Sequence, residues 1–388
     1  MNAPVYLDAN ATTRPAPEVI VEMLDALQTA WANPSSTHEP GHAARRLLTD
    51  ARVRVANFLG CTSAELVFTS GATEANHMAV LGALAMAGAR RRWVLSAVEH
   101  PGLLALAKRL REQGVPVDLI PVDSQGRLDL GIARALIRAD VALVSVMGAN
   151  NETGVLMPMA ELAEIAHAQG ALLHVDATQL VAKAPLSFAQ SGADLMSVSA
   201  HKLHGPKGVG ALLVRKGLAL PPLLSGRQER HRRGGTENMP GIAGFAAACE
   251  RAQATVTHDI AQMRALRQRL EAGLRAALPD VHVYGAEAER LPNTLCLRFA
   301  ALDAEQVLGQ LERAGIVASS GAACTASGTQ PSHVLLAMGE SPLHAKASVR
   351  FSLGRDTTAA DIERAIDAAR RLIGPLLTAN ESSSALAA

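Results

Sequence analysis

The sequence of 388 residues lacks an excess of charge, is poor in aromatic side chains and contains no long apolar run. Basic and acidic residues nearly balance at a formal net charge of +1, which gives no reason to expect a nucleic-acid surface or a membrane patch. No segment approaches the apolar length that spans a bilayer, and no basic start followed by an apolar stretch marks a secretory signal. Since 48% of the residues are hydrophobic, we expect a cytoplasmic enzyme with an ample core and no membrane or nucleic-acid partner.

Cysteine is also scarce, at four residues that lie far apart: Cys61, Cys249, Cys296 and Cys324. Without a C-x-x-C pair or zinc-site spacing, neither a disulfide framework nor a resident metal is expected. Cys324 stands out because it lies in a run of small residues, Ala318-Ser-Ser-Gly-Ala-Ala-Cys-Thr-Ala-Ser-Gly-Thr329, which gains little from burial. We predict a mobile loop there, although the residues alone indicate no more than a free thiol.

Strand and helix patterns alternate along most of the chain. Short apolar runs predict strands at 65–69, 93–97, 141–147, 171–175, 194–199, 209–214, 291–299 and 315–318. Apolar residues at helical spacing predict helices at 19–30, 41–59, 70–87, 159–169, 239–277, 304–314 and 358–374. This alternation predicts an α/β fold with a mainly parallel sheet that helices cover on both faces.

The change of pattern after the long helix predicts two domains. We expect a large domain at 15–257 and a smaller α+β domain at 258–377, to which residues 1–14 contribute a strand. The tail at 378–388 is small and polar, which predicts disorder.

In parallel sheets of this kind, ligands bind outside the carboxyl ends of the strands. Polar residues that follow the predicted strands should therefore converge: 71–74, His100, Asn151, Asp176 and 199–202. Lys202 is either a surface lysine or, if desolvated, an amine able to form a Schiff base. Asp176 should be partly buried and needs a cation, which a pyridinium or an arginine would supply. His100 is either a flat face against a ring or an ordinary loop histidine.

The stretch Ser70-Gly-Ala-Thr73 at a helix start suits a phosphate, although an ordinary capped helix would look the same. A lysine, an aspartate and a phosphate cup are together the three needs of pyridoxal 5′-phosphate. Asp176 precedes Lys202 by one strand–helix–strand unit. The joint occurrence is more specific than any one of its members.

On these residues the chain resembles the pyridoxal-phosphate enzymes of fold type I, and more closely the cysteine desulfurases of the nitrogen-fixation and iron–sulfur-assembly type. The matching stretches are Tyr6-Leu-Asp-Ala-Asn-Ala-Thr-Thr13, Asn33-Pro-Ser-Ser36, Phe68-Thr-Ser-Gly-Ala-Thr-Glu74, Glu99-His-Pro101, Asn150-Asn-Glu-Thr-Gly154, His174-Val-Asp-Ala-Thr-Gln179, Ser199-Ala-His-Lys-Leu-His-Gly-Pro-Lys-Gly208, Arg233-Gly-Gly-Thr-Glu-Asn238, Ser319-Ser-Gly-Ala-Ala-Cys-Thr325 and Ser348-Val-Arg-Phe-Ser-Leu-Gly354. The resemblance implies a large domain with a seven-stranded type of sheet.

The resemblance also implies catalytic roles. Lys202 would hold the cofactor as a Schiff base, Asp176 would pair with its pyridine nitrogen, and His100 would stack on the ring and assist proton transfer. Cys324 would become a persulfide and could contact an iron–sulfur cluster during transfer. Arg350 would clamp the substrate carboxylate, a task that suits a bidentate guanidinium.

Further residues would bind the cofactor. Asn151 and Gln179 would lie near the phenolic oxygen, with Asn151 also at the substrate. The phosphate would contact Ala72, Thr73, Ser199 and His201. Thr236 would reach the phosphate of a neighbouring subunit, which implies a homodimer with shared sites.

The implied function is conversion of L-cysteine to L-alanine, with the sulfur passed from Cys324 to a scaffold or thiolation protein for iron–sulfur assembly or thiolation. A selenocysteine lyase, another enzyme of the class-V aminotransferase fold and a non-catalytic pyridoxal-phosphate-binding partner in a sulfur-assembly complex stay open as alternatives. The chain departs from the family where Arg227 and His231 replace residues that are often histidine and glycine. If position 231 needs a positive φ, histidine is costly there.

Overall fold

The computed structural model describes residues 3–300, 302–321 and 330–378. The strands in these ranges are β1 (Val5–Tyr6), β2 (Leu66–Thr69), β3 (Arg92–Ser96), β4 (Val117–Ile120), β5 (Val141–Met147), β6 (Leu172–Asp176), β7 (Leu195–Ser199), β8 (Gly210–Val214), β9 (Val281–Val283), β10 (Thr294–Phe299), β11 (Ile316–Val317), β12 (Ser319–Ser320) and β13 (Ser348–Ser352). The helices are α1 (Pro17–Thr29), α2 (Glu39–Leu59), α3 (Ala72–Met86), α4 (Pro101–Glu112), α5 (Leu130–Leu136), α6 (Met159–Ala168), α7 (Gln228–His231), α8 (Met239–Ala277), α9 (Ala304–Arg313), α10 (His333–Ala337), α11 (Pro342–Lys346) and α12 (Ala359–Leu372).

The largest sheet in the described ranges has seven strands in the order β2-β8-β7-β6-β5-β3-β4. Strands β4, β3, β5, β6 and β7 are parallel to one another, whereas β8 and β2 are antiparallel to their neighbours. Every residue of β5, β7 and β8 is buried, as expected of strands that helices cover on both faces. The predicted α/β fold with a mainly parallel sheet is confirmed.

The parallel strands place their carboxyl ends at one edge of the sheet. Strand β6 ends at Asp176, and β7 runs at Ser199 into a short 3-10 turn, Ala200–Lys202. The two strands are neighbours with Asp176 opposite Ser197. Asp176 and the turn that carries Lys202 therefore lie at the same edge of the sheet.

A second, antiparallel sheet lies in the C-terminal part of the chain, with strand order β12-β13-β10-β9. Strand β1 pairs in parallel with β11, so the N-terminal strand lies against this part. The long helix α8 packs near its start in the same apolar cluster as the seven-stranded sheet, through Ile242 and Phe245. Nearer its end it packs, through Leu270 and Leu274, in the cluster of the second sheet. The boundary proposed at residue 258 falls inside this helix, and the division into two domains stays a prediction.

Most predicted elements are present with shifts of a few residues at their ends, and the predicted strand at 291–299 begins only at Thr294. Most of the elements without a counterpart in the sequence predictions are short: β4, β9, β12, β13, α4, α5, α7, α10 and α11. Apart from Thr378, the predicted tail at 378–388 lies outside the described residues. Within the described ranges, no helix combines the length and apolar character that crossing a membrane requires.

Candidate active site

A cavity of about 640 Å³ opens at the carboxyl edge of the seven-stranded sheet. Its wall includes ten of the predicted site residues: Ala72, Thr73, His100, Asn151, Asp176, Gln179, Ser199, His201, Lys202 and Arg350. The predicted convergence at the strand ends is therefore confirmed. Thr236 lines a smaller neighbouring cavity instead, and the predicted Cys324 lies outside the described residues.

Lys202 reaches the cavity from the turn that follows β7. Its amine donates hydrogen bonds to the backbone carbonyls of Asn10 and, at 2.9 Å, of Ala11. The sequence left open a surface lysine and a desolvated amine, and in the structure Lys202 is half-buried, with polar carbonyl groups of the N-terminal segment around its amine. Lys207, the neighbouring lysine, is exposed as expected of a surface residue.

Asp176 is buried at the end of β6, with 6% of its surface exposed. Its Oδ2 accepts a hydrogen bond from Asn76 Nδ2 at 2.7 Å, and its Oδ1 accepts one from the Thr178 backbone N–H at 3.0 Å. Both donors are neutral. The carboxylate is thus held in place without a full compensating charge from these two groups, and it can still pair with a cationic ligand atom.

His100 caps the start of α4 on another side of the cavity. Its Nδ1 accepts a hydrogen bond from the Gly102 backbone N–H at 3.1 Å, so the neutral ring carries its proton on Nε2. Burial lowers the pKa of His100, and the positive charge of Lys202 adds to this effect while Asp176 opposes it. The uncharged ring is therefore favoured at neutral pH.

The start of α3 forms one end of the cavity and offers the unpaired N–H groups of a first helical turn. Gly210 of β8 lies directly behind it, where a Cβ would come within 2.8 Å of the Gly71 Cα, so only glycine allows this close approach. Beside the helix start, His201 Nδ1 contacts Thr12 Oγ1 at 3.1 Å. Burial, assisted by nearby lysines, lowers the pKa of His201 to about 4, so its ring is uncharged at neutral pH.

Arg350 comes to the cavity from β13 of the second sheet and is almost fully buried. Its Nη2 donates to Asp8 Oδ1 at 2.8 Å, and its Nη1 donates to the backbone carbonyl of Asn151 at 3.0 Å. Its Nε has no partner among the described residues. The guanidinium is thus oriented by Asp8, a partner that the sequence analysis did not identify.

Asn10 is the main site residue that the sequence analysis missed. It is 1% exposed, and its carbonyl accepts hydrogen bonds from Lys202 and, at 2.9 Å, from Gln179 Nε2. Its amide Nδ2 donates to Thr294 Oγ1 at 2.9 Å, and its backbone N–H donates to Ser352 Oγ at 2.9 Å. Asn10 lies in one of the matched stretches, but only the folded chain shows that it joins the Lys202 loop to the second sheet.

Gln179 and Asn151 differ in how they meet the cavity. The Gln179 amide is engaged inside the wall, with Nε2 on Asn10 and Oε1 on the amine of Lys183 at 2.7 Å. Asn151 has a buried side-chain oxygen without a partner among the described residues. Asn151 is therefore the more available of the two for a ligand.

Thr236 lies beside the main cavity rather than in it. The smaller cavity, of about 150 Å³, is also lined by Ser70 and Gly208, which border the main cavity as well. Next to it, Arg233 Nε and Glu74 Oε1 form an ion pair at 2.8 Å. Thr236 is thus adjacent to the start of α3.

Residues 5–365 match the family described as aminotransferase class-V, and the chain therefore belongs to the class-V aminotransferases. A cysteine desulfurase of Cereibacter sphaeroides is 48% identical to it over 366 residues, which cover 94% of this chain and 94% of that protein. Within the class-V aminotransferases, the chain accordingly belongs to the cysteine desulfurases.

Solved structures agree with this assignment. A NifS-like protein has a TM-score of 0.89 and 35% identity, with 95% of this chain and 99% of that chain covered. SspA, solved in complex with cysteine, has a TM-score of 0.78 and 28% identity, with 91% of this chain and 100% of that chain covered. The fold is that of the fold type I pyridoxal-phosphate enzymes, and the family is pyridoxal-phosphate-dependent.

The cavity fits that cofactor in three ways. The N–H groups at the start of α3 can bind its phosphate, and the buried carboxylate of Asp176 can pair with its cationic ring nitrogen. The amine of Lys202 can bind its aldehyde. The buried side-chain oxygen of Asn151, which has no partner among the described residues, is a polar atom of the wall that a ligand could bind.

Proposed function

We propose that the chain is a pyridoxal-phosphate-dependent enzyme that converts L-cysteine to L-alanine and retains the sulfur as a persulfide on Cys324. The observation that carries the proposal is the convergence of Lys202, Asp176, His100 and Arg350 on one cavity. An amine, an anchored carboxylate, a neutral imidazole and a guanidinium are the groups that a cofactor-bound amino acid needs around it. Membership of the cysteine desulfurases and the cysteine complex of the similar SspA support cysteine as the substrate.

The cofactor would be held by Lys202 through its aldehyde, by Asp176 through its ring nitrogen and by His100 against its ring. Its phosphate would lie at the start of α3 near Ser199 and His201. Bound pyridoxal phosphate supplies an electron sink that acidifies the Cα of an amino acid. The amine of Lys202, once released by the substrate, would take the Cα proton onto Nζ.

The substrate carboxylate would bind Arg350, and Asn151 would contact the same substrate. Because Asp8 and the Asn151 carbonyl already fix two nitrogens of the guanidinium, Arg350 meets the carboxylate in one orientation. Arg350 is already paired with Asp8, so the substrate carboxylate would be the second anion at this guanidinium.

Sulfur transfer would join the Cys324 thiolate to the substrate sulfur while the substrate Cβ–S bond breaks. The electron pair of that bond stays on the carbon fragment, which takes up protons and leaves as alanine, so no outside oxidant or reductant is needed. The thiolate is the reactive form of cysteine. Burial raises the pKa of the Cys61 thiol to about 12 and raises those of Cys249 and Cys296 as well, which disfavours these three as nucleophiles.

The enzyme would act as a homodimer, with Thr236 reaching the phosphate of the neighbouring subunit, and would pass sulfur to a scaffold or thiolation protein. Helix α1 and the residues after it support association, because they expose an apolar stripe that a second copy would cover: Ile20, Val21, Leu24, Leu27 and Trp31.

Two variants test the proposal in the full-length protein. Lys202→Ala is expected to lose the visible absorbance band of the bound cofactor, whereas the exposed Lys216→Ala keeps it. Cys324→Ala is expected to keep the band and stop sulfide release from cysteine, whereas Cys61→Ala changes neither. Parental rates of sulfide and alanine formation in Cys324→Ala would show the persulfide role to be wrong.

A further inference from the structure

A second lysine is buried behind the cavity and has no part in the proposed chemistry. Lys183 follows β6 by two turns and is 5% exposed. Its amine contacts Gln179 Oε1 at 2.7 Å and Asn10 Oδ1 at 3.3 Å. A buried lysine ordinarily pairs with a carboxylate, but these two partners are neutral amide oxygens.

The surroundings favour the uncharged form of this amine. Burial lowers the pKa of Lys183 well below its usual range, and the positive charges of Lys202 and Arg350 lower it further. A neutral amine has two N–H groups, which matches the two oxygens it contacts. Lys183 therefore acts as a hydrogen-bond donor and adds no third cation to Lys202 and Arg350.

These two hydrogen bonds orient two side-chain amides, that of Gln179 and that of Asn10, whose oxygen also accepts a hydrogen bond from Asn293 Nδ2 at 3.1 Å. Because Gln179 directs its oxygen at Lys183, its Nε2 faces the carbonyl of Asn10 at 2.9 Å. Because Asn10 directs its side-chain oxygen at Lys183, its Nδ2 donates to Thr294 Oγ1 and, at 3.2 Å, to the Asn151 carbonyl. A flipped amide would lose these contacts, because it would bring its NH2 group to the N–H donors of Lys183 and its oxygen to a position that now holds a donor.

The orientation of Gln179 bears directly on the proposed catalytic amine, since Gln179 Nε2 and the amine of Lys202 both donate to the backbone carbonyl of Asn10. We propose that Lys183 is a positioning residue, a hydrogen-bond donor that fixes the amides of Asn10 and Gln179 and, through the Asn10 carbonyl, the amine of Lys202. The expected loss of desulfurase activity rests on the proposed function, but the expected change in the reactivity of the Lys202 amine does not.

The first test reads that amine directly. Full-length protein without cofactor is acetylated with a limiting amount of acetic anhydride, and mass spectrometry compares Lys202 with the exposed Lys108 in the same sample. In Lys183→Met, Lys202 should react about threefold faster or more, because loss of the carbonyl contact destabilises its ammonium form. Slower or unchanged labelling would overturn the proposal, since removal of a charged Lys183 would relieve repulsion and slow the reaction.

The second test uses the cofactor-loaded enzyme. Lys183→Met should lower kcat for cysteine about 10- to 100-fold through misplacement of Lys202 and change KM less than about threefold, since Arg350 is not in direct contact with Lys183. Lys183→Gln, which keeps two uncharged N–H groups, should lose less than Lys183→Met, and Lys108→Met should match the parent. Equal losses in the Met and Gln variants would contradict positioning by hydrogen-bond donation.

If Lys183→Met does not fold, Lys183→Gln decides: labelling of Lys202 within about twofold of the parental rate supports the proposal, and slower labelling contradicts it. A parental enzyme without desulfurase activity would overturn the proposed function while the labelling result still stood.

Discussion

The cavity wall and the segment at 227–233 both contain buried charge, but they hold their backbone in different ways. Among the residues that line the cavity, positive φ angles occur at Gly71 and Gly208, where glycine carries no steric cost. In the segment, three consecutive residues with side chains have positive φ: Glu229 at 47°, Arg230 at 58° and His231 at 64°. The cavity is shaped by residues suited to their conformation, whereas the segment is strained and must be held from outside.

The outside support for the segment is a buried ion pair. Glu229 accepts hydrogen bonds from Arg52 Nη1 at 2.8 Å and Nη2 at 2.5 Å, and a third from the Phe68 backbone N–H at 2.9 Å. The guanidinium of Arg52 also lies 4.8 Å from the centre of the Phe68 ring. Tertiary contacts therefore offset the backbone strain, and changes here should affect stability before they affect chemistry.

The largest expected effect is on catalysis at the cavity. Asp176→Ala removes the carboxylate that would stabilise a cationic ring nitrogen, and we expect kcat to fall about 10³- to 10⁴-fold, or roughly 4 to 5.5 kcal/mol of barrier. Steady-state desulfuration at saturating cofactor measures this loss. Urea unfolding of the same variant is the control. If Asp176→Ala were largely unfolded under assay conditions, the lower kcat would reflect lost stability, and the cavity would not differ from the segment in this respect.

The corresponding change in the segment is Glu229→Ala, which leaves Arg52 buried without its partner. A broken buried pair costs about 3 to 5 kcal/mol, and we expect the free energy of unfolding to fall by that amount in urea titrations. Glu363→Ala breaks the exposed pair with Arg269 and should leave the unfolding midpoint unchanged. A loss in Glu229→Ala no larger than in Glu363→Ala would mean that the ion pair does not hold the segment.

The sequence was sufficient to predict the site residues that lie where the parallel strands end. Asp176 and Lys202 could be predicted because a short apolar run and the residue after it are local features, and the edge rule then brings the strand ends together. The pairing of Arg350 with Asp8 and that of Lys202 with Asn10 could not be predicted, since the two partners lie about two hundred residues or more apart along the chain. Such pairs depend on how the second sheet packs against the first, which no local pattern encodes.

The segment shows the same limit in its backbone. The sequence predicts a cost at His231 if φ is positive there, and the structure confirms that φ is positive. Positive φ at Glu229 and Arg230 could not be predicted, because nothing in the local sequence favours that conformation there. Tertiary contacts hold this conformation: those of Glu229 with Arg52 and Phe68, and the hydrogen bond that Arg230 Nη2 donates to the Ser63 carbonyl at 2.7 Å.

A buried glutamate near the cavity sharpens the contrast with Glu229. Glu152 is 2% exposed and has a hydroxyl, that of Ser332, as its hydrogen-bond donor in place of an arginine. Burial raises the pKa of Glu152 from 4.5 to about 7, against the opposing effects of Ser332 and the charge of Arg350. The folded state thus favours the protonated acid.

The sign of the pH effect follows from that raised pKa. The stabilising contribution of protonated Glu152 is fully present below the unfolded pKa of 4.5 and is lost as pH rises through about 7. Glu152→Gln cannot ionise, so its free energy of unfolding should improve relative to the parent by at most about 3 kcal/mol between pH 4 and 8. Urea unfolding at a series of pH values measures the difference, and parallel curves for the two proteins would contradict it.

The smallest expected effect is relief of strain at a single residue of the segment. His231→Gly should stabilise the fold by about 0.5 to 1 kcal/mol, because glycine adopts a φ near 64° without the clash that a Cβ causes. The gain should stay below the full cost of a left-handed side chain, since glycine also raises the entropy of the unfolded chain. His42→Gly, in the regular helix α2, should have the opposite sign and destabilise by about 0.5 to 1 kcal/mol. If His231→Gly and His42→Gly destabilised the fold to the same extent, the backbone at position 231 would not be strained. The contacts of Glu229 would then not be needed to offset strain at that residue.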